Sequence, residues 1–119
     1  MAALDMNWAF GDTGVLTDDI RILLGAKEQV VQVYRLLGKT QAALTNKKII
    51  YISARGLIDA RPDIYTLPLS TILAVNLVYG TKNEVQLVTN AGTIHITLTK
   101  INDLKDLYRE LSRSLGNIQ

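Results

Sequence analysis

Residues 42–53, AALTNKKIIYIS, contain the strongest secondary-structure signal in the chain. Small and β-branched residues flank Asn46-Lys47, and asparagine tolerates the positive φ that tight hairpin turns often require. The segment therefore predicts two antiparallel strands, 42–45 and 48–53, joined by a tight turn. The hydrophobic run after the turn makes the second strand especially clear.

Further strands are predicted on both sides of this hairpin, because β-branched and aromatic runs are separated by glycine, asparagine and proline. In the last strand, hydrophobic residues alternate with threonines and His95, which is typical of a strand with one buried face. Pro68 directly follows the predicted strand 64–67 and limits further pairing there, which predicts an edge strand or a corner. With the hairpin, the predicted strands number seven, the others being 30–34, 64–67, 72–79, 85–89 and 93–98.

Two helices are predicted, one before the first strand and one after the last. The short helix, 17–25, has Thr17 as its N-cap, acidic residues in its first turn and Gly25 at its end. The long helix, 102–115, has hydrophobic residues at steps of three and four. Asn102 is its predicted cap and Gly116 its predicted stop. Its apolar stripe requires an apolar surface, which the open end of a bent sheet would supply.

Three stretches, taken with this order of elements, resemble the bacterial pleckstrin-homology-like domains. They are Val33-Tyr34-Arg35 ahead of a glycine-lysine turn, LTNKKIIY at 44–51, and LPLSTI at 67–72. In that family an arginine usually follows the basic residue of the second stretch, and here Lys48 occupies the position. This substitution keeps the charge but loses the planar guanidinium.

The resemblance implies a mainly β (α+β) fold, a seven-stranded bent antiparallel barrel with a short N-terminal helix and a capping C-terminal helix. It implies no catalytic activity, and several members of the family look like homo-oligomers that pair exposed strands or faces. We expect residues 15–119 to form this domain. Residues 1–14 are predicted to be an N-terminal arm, part of which can be vector-encoded.

Composition excludes several classes of protein. The 119 residues fit one domain, no hydrophobic run is long enough to span a membrane, and the start of the chain lacks the pattern of a secretory signal. We therefore expect a cytoplasmic protein. Without cysteine and with a single histidine, the chain lacks the residues of a typical zinc site or a disulfide framework. No cofactor is predicted.

The net charge of +2 is unevenly distributed, and the middle of the chain is basic. In a barrel of this type, the loops after the first and third strands lie at the same open end. Lys39, Arg55 and Arg61 fall there, and Arg35, near the end of the first strand, is expected to join them. The four residues predict an anion or membrane-surface site. Uncharged residues within 36–41 interrupt the basic pattern that resemblance to lipid-binding versions of the fold implies for the first two strands, which argues against phosphoinositide recognition. The aromatic residues are few and do not interleave with the basic ones, which argues against nucleic-acid binding.

No residue is predicted to be catalytic. His95 has threonine neighbours and reads as a solvent-facing or hydrogen-bonded strand histidine, because the local sequence supplies no carboxylate or nucleophile. Asp59 and Asp63 flank Arg61 in a loop, where an ion pair is the simpler interpretation than paired-carboxylate chemistry. No phosphate-binding glycine loop and no nucleophile elbow occurs.

Two functions remain open. The favoured one is a protein-interaction module that forms a homo-oligomer through exposed strand edges, the arm and the short helix. Within the arm, Trp8 and Phe10 are the predicted interface residues, because large aromatic residues are enriched at interfaces. The alternative is a module that binds anions or the phosphate headgroups of a membrane through the four basic residues.

Overall fold

The computed structural model of the chain describes residues 4–9, 11, 13–35, 40–53 and 63–118. The chain divides into two compact units. One comprises Phe10–Pro68, and the other combines Met1–Ala9 with Leu69–Gln119. Each unit has its own β-sheet.

The Phe10–Pro68 unit contains a five-stranded antiparallel sheet. Its order is β2-β3-β4-β5-β6. The central strand β4 is buried along its whole length, as expected for its alanines and leucine. The strands are β2 Thr13–Gly14, β3 Val30–Arg35, β4 Gln41–Thr45, β5 Lys48–Ser53 and β6 Asp63–Pro68.

A short helix, α1 (Asp18–Arg21), contributes to the core of this unit. Its Ile20 is fully buried and belongs to a cluster with Val33, Ala43, Ile50 and Ile52. The helix is a single turn rather than the predicted 17–25. The amides of Leu23 and Leu24 bond to carbonyls three residues back, at 2.9 and 3.2 Å, which tightens the chain beyond Arg21 and ends the α-helix before Gly25. Thr17 precedes the helix, but its hydroxyl donates to Gln41 Oε1 at 2.6 Å instead of capping it.

The other unit contains a four-stranded sheet of order β1-β9-β8-β7. β7, β8 and β9 are antiparallel neighbours, whereas β1 runs parallel to β9. At the β8–β9 turn Gly92 has φ 147°, which a residue with a side chain rarely adopts. The strands are β1 Leu4–Ala9, β7 Ile72–Val78, β8 Glu84–Thr89 and β9 Gly92–Thr97.

The long helix α2 (Ile101–Ile118) packs on β7, on β8 and on the 3₁₀ turn Leu69–Thr71. Its Leu104, Leu107 and Leu111 are buried, so the predicted apolar stripe is confirmed. The predicted limits 102–115 are too narrow. The Leu104 amide bonds to the Lys100 carbonyl at 3.1 Å, so Asn102 lies inside the first turn and does not cap it. Gly116 does not stop the helix, because one glycine costs a helix only about 1 kcal/mol.

All seven predicted strands are confirmed, including the alternation in β9, where Ile94 and Ile96 are buried. Pro68 ends the edge strand β6, as predicted. The predicted mainly β fold with a C-terminal helix is confirmed. The strands lie in two sheets rather than in a closed barrel, and nine strands occur among the described residues. The additional strands, β1 and β2, lie in the segment predicted as an arm. The division into 1–14 and 15–119 stays a prediction.

Candidate interaction surfaces

The structure describes one of the four residues of the predicted anion site, Arg35. Arg35 ends β3 opposite Gln41, is exposed, and accepts a backbone hydrogen bond from the Gly11 amide at 2.8 Å. Its methylene stem crosses Gly14 so closely that a Cβ there would collide with it. Lys39, Arg55 and Arg61 lie outside the described residues, so the convergence of the four cations stays a prediction.

Of the two predicted interface residues in the arm, the structure describes only Trp8. Trp8 lies on β1 opposite Ile96 and is only 3% exposed, so its ring is part of the interior of its unit. Little of this side chain is accessible to a partner in this arrangement. Phe10 lies outside the described residues.

A cluster of polar side chains surrounds the β4–β5 turn, which lies within the LTNKKIIY stretch at 44–51. Glu28 precedes β3, and its side chain is only 3% exposed. Its Oε1 lies 3.1 Å from Lys48 Nζ and accepts the Gly25 amide at 2.9 Å. Its Oε2 accepts the hydroxyl of the fully buried Thr45. Lys48 Nζ also donates to the Leu23 carbonyl at 3.0 Å.

The cluster changes the acidity of its carboxyl group. Burial by itself raises the pKa of Glu28, but the hydrogen bonds from Gly25, Thr45 and Lys48, with the charge of Lys48, hold that pKa below its ordinary value of 4.5. Glu28 is therefore ionised at neutral pH. Its cation and its hydrogen-bond donors are all supplied within the chain, and these contacts hold the turn.

Main-chain and amide groups complete this arrangement. The Thr45 hydroxyl oxygen accepts the amides of Lys47 and Lys48, each at 3.0 Å. The Gln29 amide donates to Asn46 Oδ1 at 2.9 Å, and the Asn46 amide donates back to the Gln29 carbonyl at 3.0 Å. The turn is thereby fixed to the segment that leads into β3.

His95 has a carboxylate partner that the local sequence does not reveal. Its Nδ1 lies 2.9 Å from Glu84 Oε2, and both side chains are half-buried. The register places Gln86 directly opposite His95, so Glu84 is the diagonal neighbour on β8. Gln86 Nε2 also donates to Glu84 Oε1 at 3.1 Å. The hydrogen-bonded strand histidine expected from the sequence is thus found. Of the two loop aspartates, Asp59 lies outside the described residues and Asp63 begins β6.

The sheet edges offer a different kind of surface. β7 is an edge strand of seven residues, ILAVNLV, without a charged side chain. Among the strands that the structure describes, it pairs only with β8. Leu73 is 63% exposed, and Tyr79 just beyond the strand is 61% exposed. Because the second side of such a strand presents unpaired N–H and C=O groups, it is a template for another strand.

The other three edges are shorter or carry protective residues. β2 has only two residues, β6 begins with Asp63 and ends with Pro68, and β1 contains Asp5. Charges, proline and short length each discourage pairing with another chain. Near the α1 helix, Val15 and Ile22 are also exposed, at 71% and 78%, but they do not belong to a strand edge.

A cavity of about 480 Å³ lies beside the start of α2. Its lining contains one cation, Lys82, and otherwise neutral side chains, so it provides no acid and base pair for catalysis. The other lining residues are Asn83, Thr97, Leu98, Thr99, Ile101 and Leu104.

Within the described part of the chain, no cluster of potential metal ligands occurs. No helix among these residues has the length and hydrophobicity to cross a bilayer.

Comparison with known proteins identifies the fold. No protein-family model matches the chain. A search of curated proteins also finds no match. A solved structure from Shewanella loihica PV-4, a DUF1696 family protein with a pleckstrin-homology domain, superposes with a TM-score of 0.74 at 16% identity, covering 88% of this chain and 98% of that one. A pleckstrin homology domain from Shewanella amazonensis SB2B gives a TM-score of 0.63 at 17% identity, with 82% of each chain covered. The chain therefore has a pleckstrin-homology-like fold.

Proposed function

We propose that this pleckstrin-homology-like chain is a non-catalytic protein-interaction module that assembles with copies of itself, and that the β7 edge is the contact surface. The uncharged, singly paired edge of β7 is the observation that carries the proposal. The fold supports a module of this kind, since two bacterial pleckstrin-homology structures share it.

The chemistry of β7 favours a strand as the partner. An added strand satisfies the free backbone groups along the edge, and hydrophobic side chains such as Leu73 lose exposed surface at the same time. Burial of apolar surface is favourable, and it adds to the backbone hydrogen bonds in stabilising the pairing. Neither contribution requires a pocket or a cofactor.

A second copy fits this edge without electrostatic penalty. When two identical strands pair antiparallel about a two-fold axis, each residue meets a residue of the same strand. Like charges directly opposite each other would oppose such pairing, and β7 contains none. The other edges are less suited to pairing with another strand, because β1 and β6 each contain an aspartate and β2 has only two residues.

The experiment is a measurement of mass in solution by light scattering from low to high micromolar concentration. The proposal predicts a mass above that of the 13.2 kDa chain, decreasing on dilution. A version lacking residues 1–14 serves as the comparison, because it removes β1 and β2 but keeps β7. If both chains remain monomeric throughout, the proposal is wrong.

The alternative function, binding to anionic headgroups, rests on Arg35 and the three cations predicted to join it. Its supporting observation is that Arg35 is exposed and that its stem is held against Gly14. Reversal of charge in Lys39→Glu with Arg55→Glu should abolish binding to vesicles containing anionic lipid, and binding by the original chain should weaken with salt. Absence of binding by the original chain would exclude this function.

A further inference from the structure

The cavity beside the start of α2 differs from the β4–β5 turn in what its polar groups bond to. Its lining carries an ammonium group, an amide and two hydroxyls, those of Lys82, Asn83, Thr97 and Thr99. Among the described residues, none of these four side chains has a hydrogen-bond or ion-pair partner. At the turn, by contrast, Glu28 bonds to donors within the chain. The cavity therefore brings together polar groups that are available to a ligand.

The lining changes from polar to apolar with depth. Lys82, Asn83 and Thr99 are exposed, whereas Leu104 is completely buried. Ile101, which is 37% exposed, adds a second apolar side chain. The volume of about 480 Å³ lies within the range of roughly 300–1,000 Å³ that small-molecule pockets have. A ligand that matches this lining has a polar end toward solvent and an apolar body beneath it.

The charge of the lining favours an anion. Among the described residues that line the cavity, Lys82 is the only one with a charge, and the neighbouring acids Glu84 and Asp103 are not among them. Glu84 is bonded to His95 instead. The helix α2 begins at Ile101 in the same lining, and the partial positive charge of a helix N-terminus adds to that of the lysine. One cation balances one negative charge, which is the charge of a carboxylate.

We infer that this cavity binds a small amphiphilic carboxylate, with the carboxylate at Lys82 and the hydrocarbon chain against Leu104. The two threonine hydroxyls and the asparagine amide of the lining are donors for the carboxylate oxygens. All of the lining residues belong to the unit that contains Leu69–Gln119, and none lies on β7. Binding at this cavity therefore does not depend on self-assembly.

The test uses sodium octanoate as the probe and the full chain, followed by titration calorimetry and by two-dimensional NMR of the backbone amides. Octanoate should bind saturably, and the largest shifts should fall at residues 82–83, 97–99, 101 and 104. Acetate and inorganic phosphate lack the hydrocarbon chain, and octanamide lacks the charge. Each of the three should therefore bind about ten-fold or more weakly than octanoate. Octanamide that binds as tightly as octanoate would contradict the preference for an anion.

Variants locate the site. Lys82→Met removes the charge at an exposed position, and we expect the dissociation constant for octanoate to rise about ten-fold or more. Ile101→Ala, which removes part of the apolar lining, should also weaken binding. The matched control is Lys47→Met, at an exposed lysine of the β4–β5 turn, and it should leave octanoate binding unchanged. Circular dichroism checks that each variant is folded.

Three results would overturn the carboxylate site. They are the absence of saturable binding by the original chain, equal binding by the Lys82→Met variant, and amide shifts that cluster around Arg35 instead of the cavity. None of them bears on self-assembly, which light scattering measures separately, so the two proposals fail independently.

Discussion

The β4–β5 turn and the β7 edge treat polar groups in opposite ways. At the turn, Glu28, Thr45 and Lys48 bond to one another and to the main chain, and the carboxylate is almost completely buried. At the edge, seven residues without a charge pair on one side only, and Leu73 remains largely exposed. The region with the clearest sequence motif supplies its own hydrogen-bond partners, whereas β7, which has no motif, pairs on one side only among the described strands.

The largest effect is expected from removal of the cation at the turn. Lys48→Met leaves the Glu28 carboxylate buried without its counter-ion, and we expect the free energy of unfolding in urea to fall by about 3 kcal/mol. Lys48→Arg, which keeps the charge but changes the geometry of the donor group, should cost less than Lys48→Met. Asp18→Asn removes the exposed pair with Arg21 and should cost less than about 0.5 kcal/mol. A Lys48→Met variant as stable as Asp18→Asn would contradict the claim that Lys48 neutralises a buried carboxylate at the turn.

The edge should respond in association rather than in stability. Leu73→Lys with Asn76→Lys places like charges on exposed positions of β7, and we expect the dissociation constant to rise about ten-fold or more, equivalent to about 1.4 kcal/mol. The free energy of unfolding of the monomer should change little. Sedimentation equilibrium measures the dissociation constant. Ile64→Lys, at an exposed position of the β6 edge, is the control; an equal loss there would assign association to another edge.

The pH dependence of stability should distinguish the turn from the rest of the chain. Because the pKa of Glu28 is lower in the folded chain than its ordinary 4.5, ionised Glu28 stabilises the fold fully above that value. This contribution is lost as the pH falls through the lowered pKa. Urea titrations from neutral to acidic pH should therefore show a steeper loss of stability for the original chain than for Glu28→Gln. Parallel curves would contradict the role of Glu28.

A smaller effect is expected at the half-buried pair of Glu84 on β8 and His95 on β9. Glu84→Gln should lower the free energy of unfolding by less than about 1 kcal/mol, since cross-strand pairs of this kind contribute little. The oligomeric state should not change. Thermal unfolding followed by circular dichroism measures the first effect and light scattering the second. A loss of stability as large as that of Lys48→Met would contradict the claim that the contacts at the turn contribute more to stability than this cross-strand pair.

The strands and the main helix could be predicted because their signals are local. Alternation in β9 and the turn at Asn46-Lys47 depend only on neighbours in the sequence, and both predict structure that is found. β1 was missed although Leu4, Met6 and Trp8 alternate with more polar residues or alanine. The pattern is short, and its partner β9 is distant in the sequence and runs parallel, so no turn signal marks the pairing.

The contacts that define the turn could not be predicted, because they join residues far apart in sequence. Glu28 and Lys48 meet only after β3 and β4 have paired, and Glu84 reaches His95 only through the register of β8 and β9. The converse holds at β7, where the absence of charge was visible in the sequence but its position at an edge was not. The anion site stays a prediction, because Lys39, Arg55 and Arg61 lie outside the described residues.

Hydrogen exchange along β7 tests the central claim most directly. In an edge strand with a single antiparallel neighbour, alternate amides face away from that neighbour and exchange rapidly. If copies pair through β7, the outward amides between Ile72 and Val78 should become protected at concentrations where the mass increases. Rapid exchange of these amides in a chain that is demonstrably oligomeric would contradict the account.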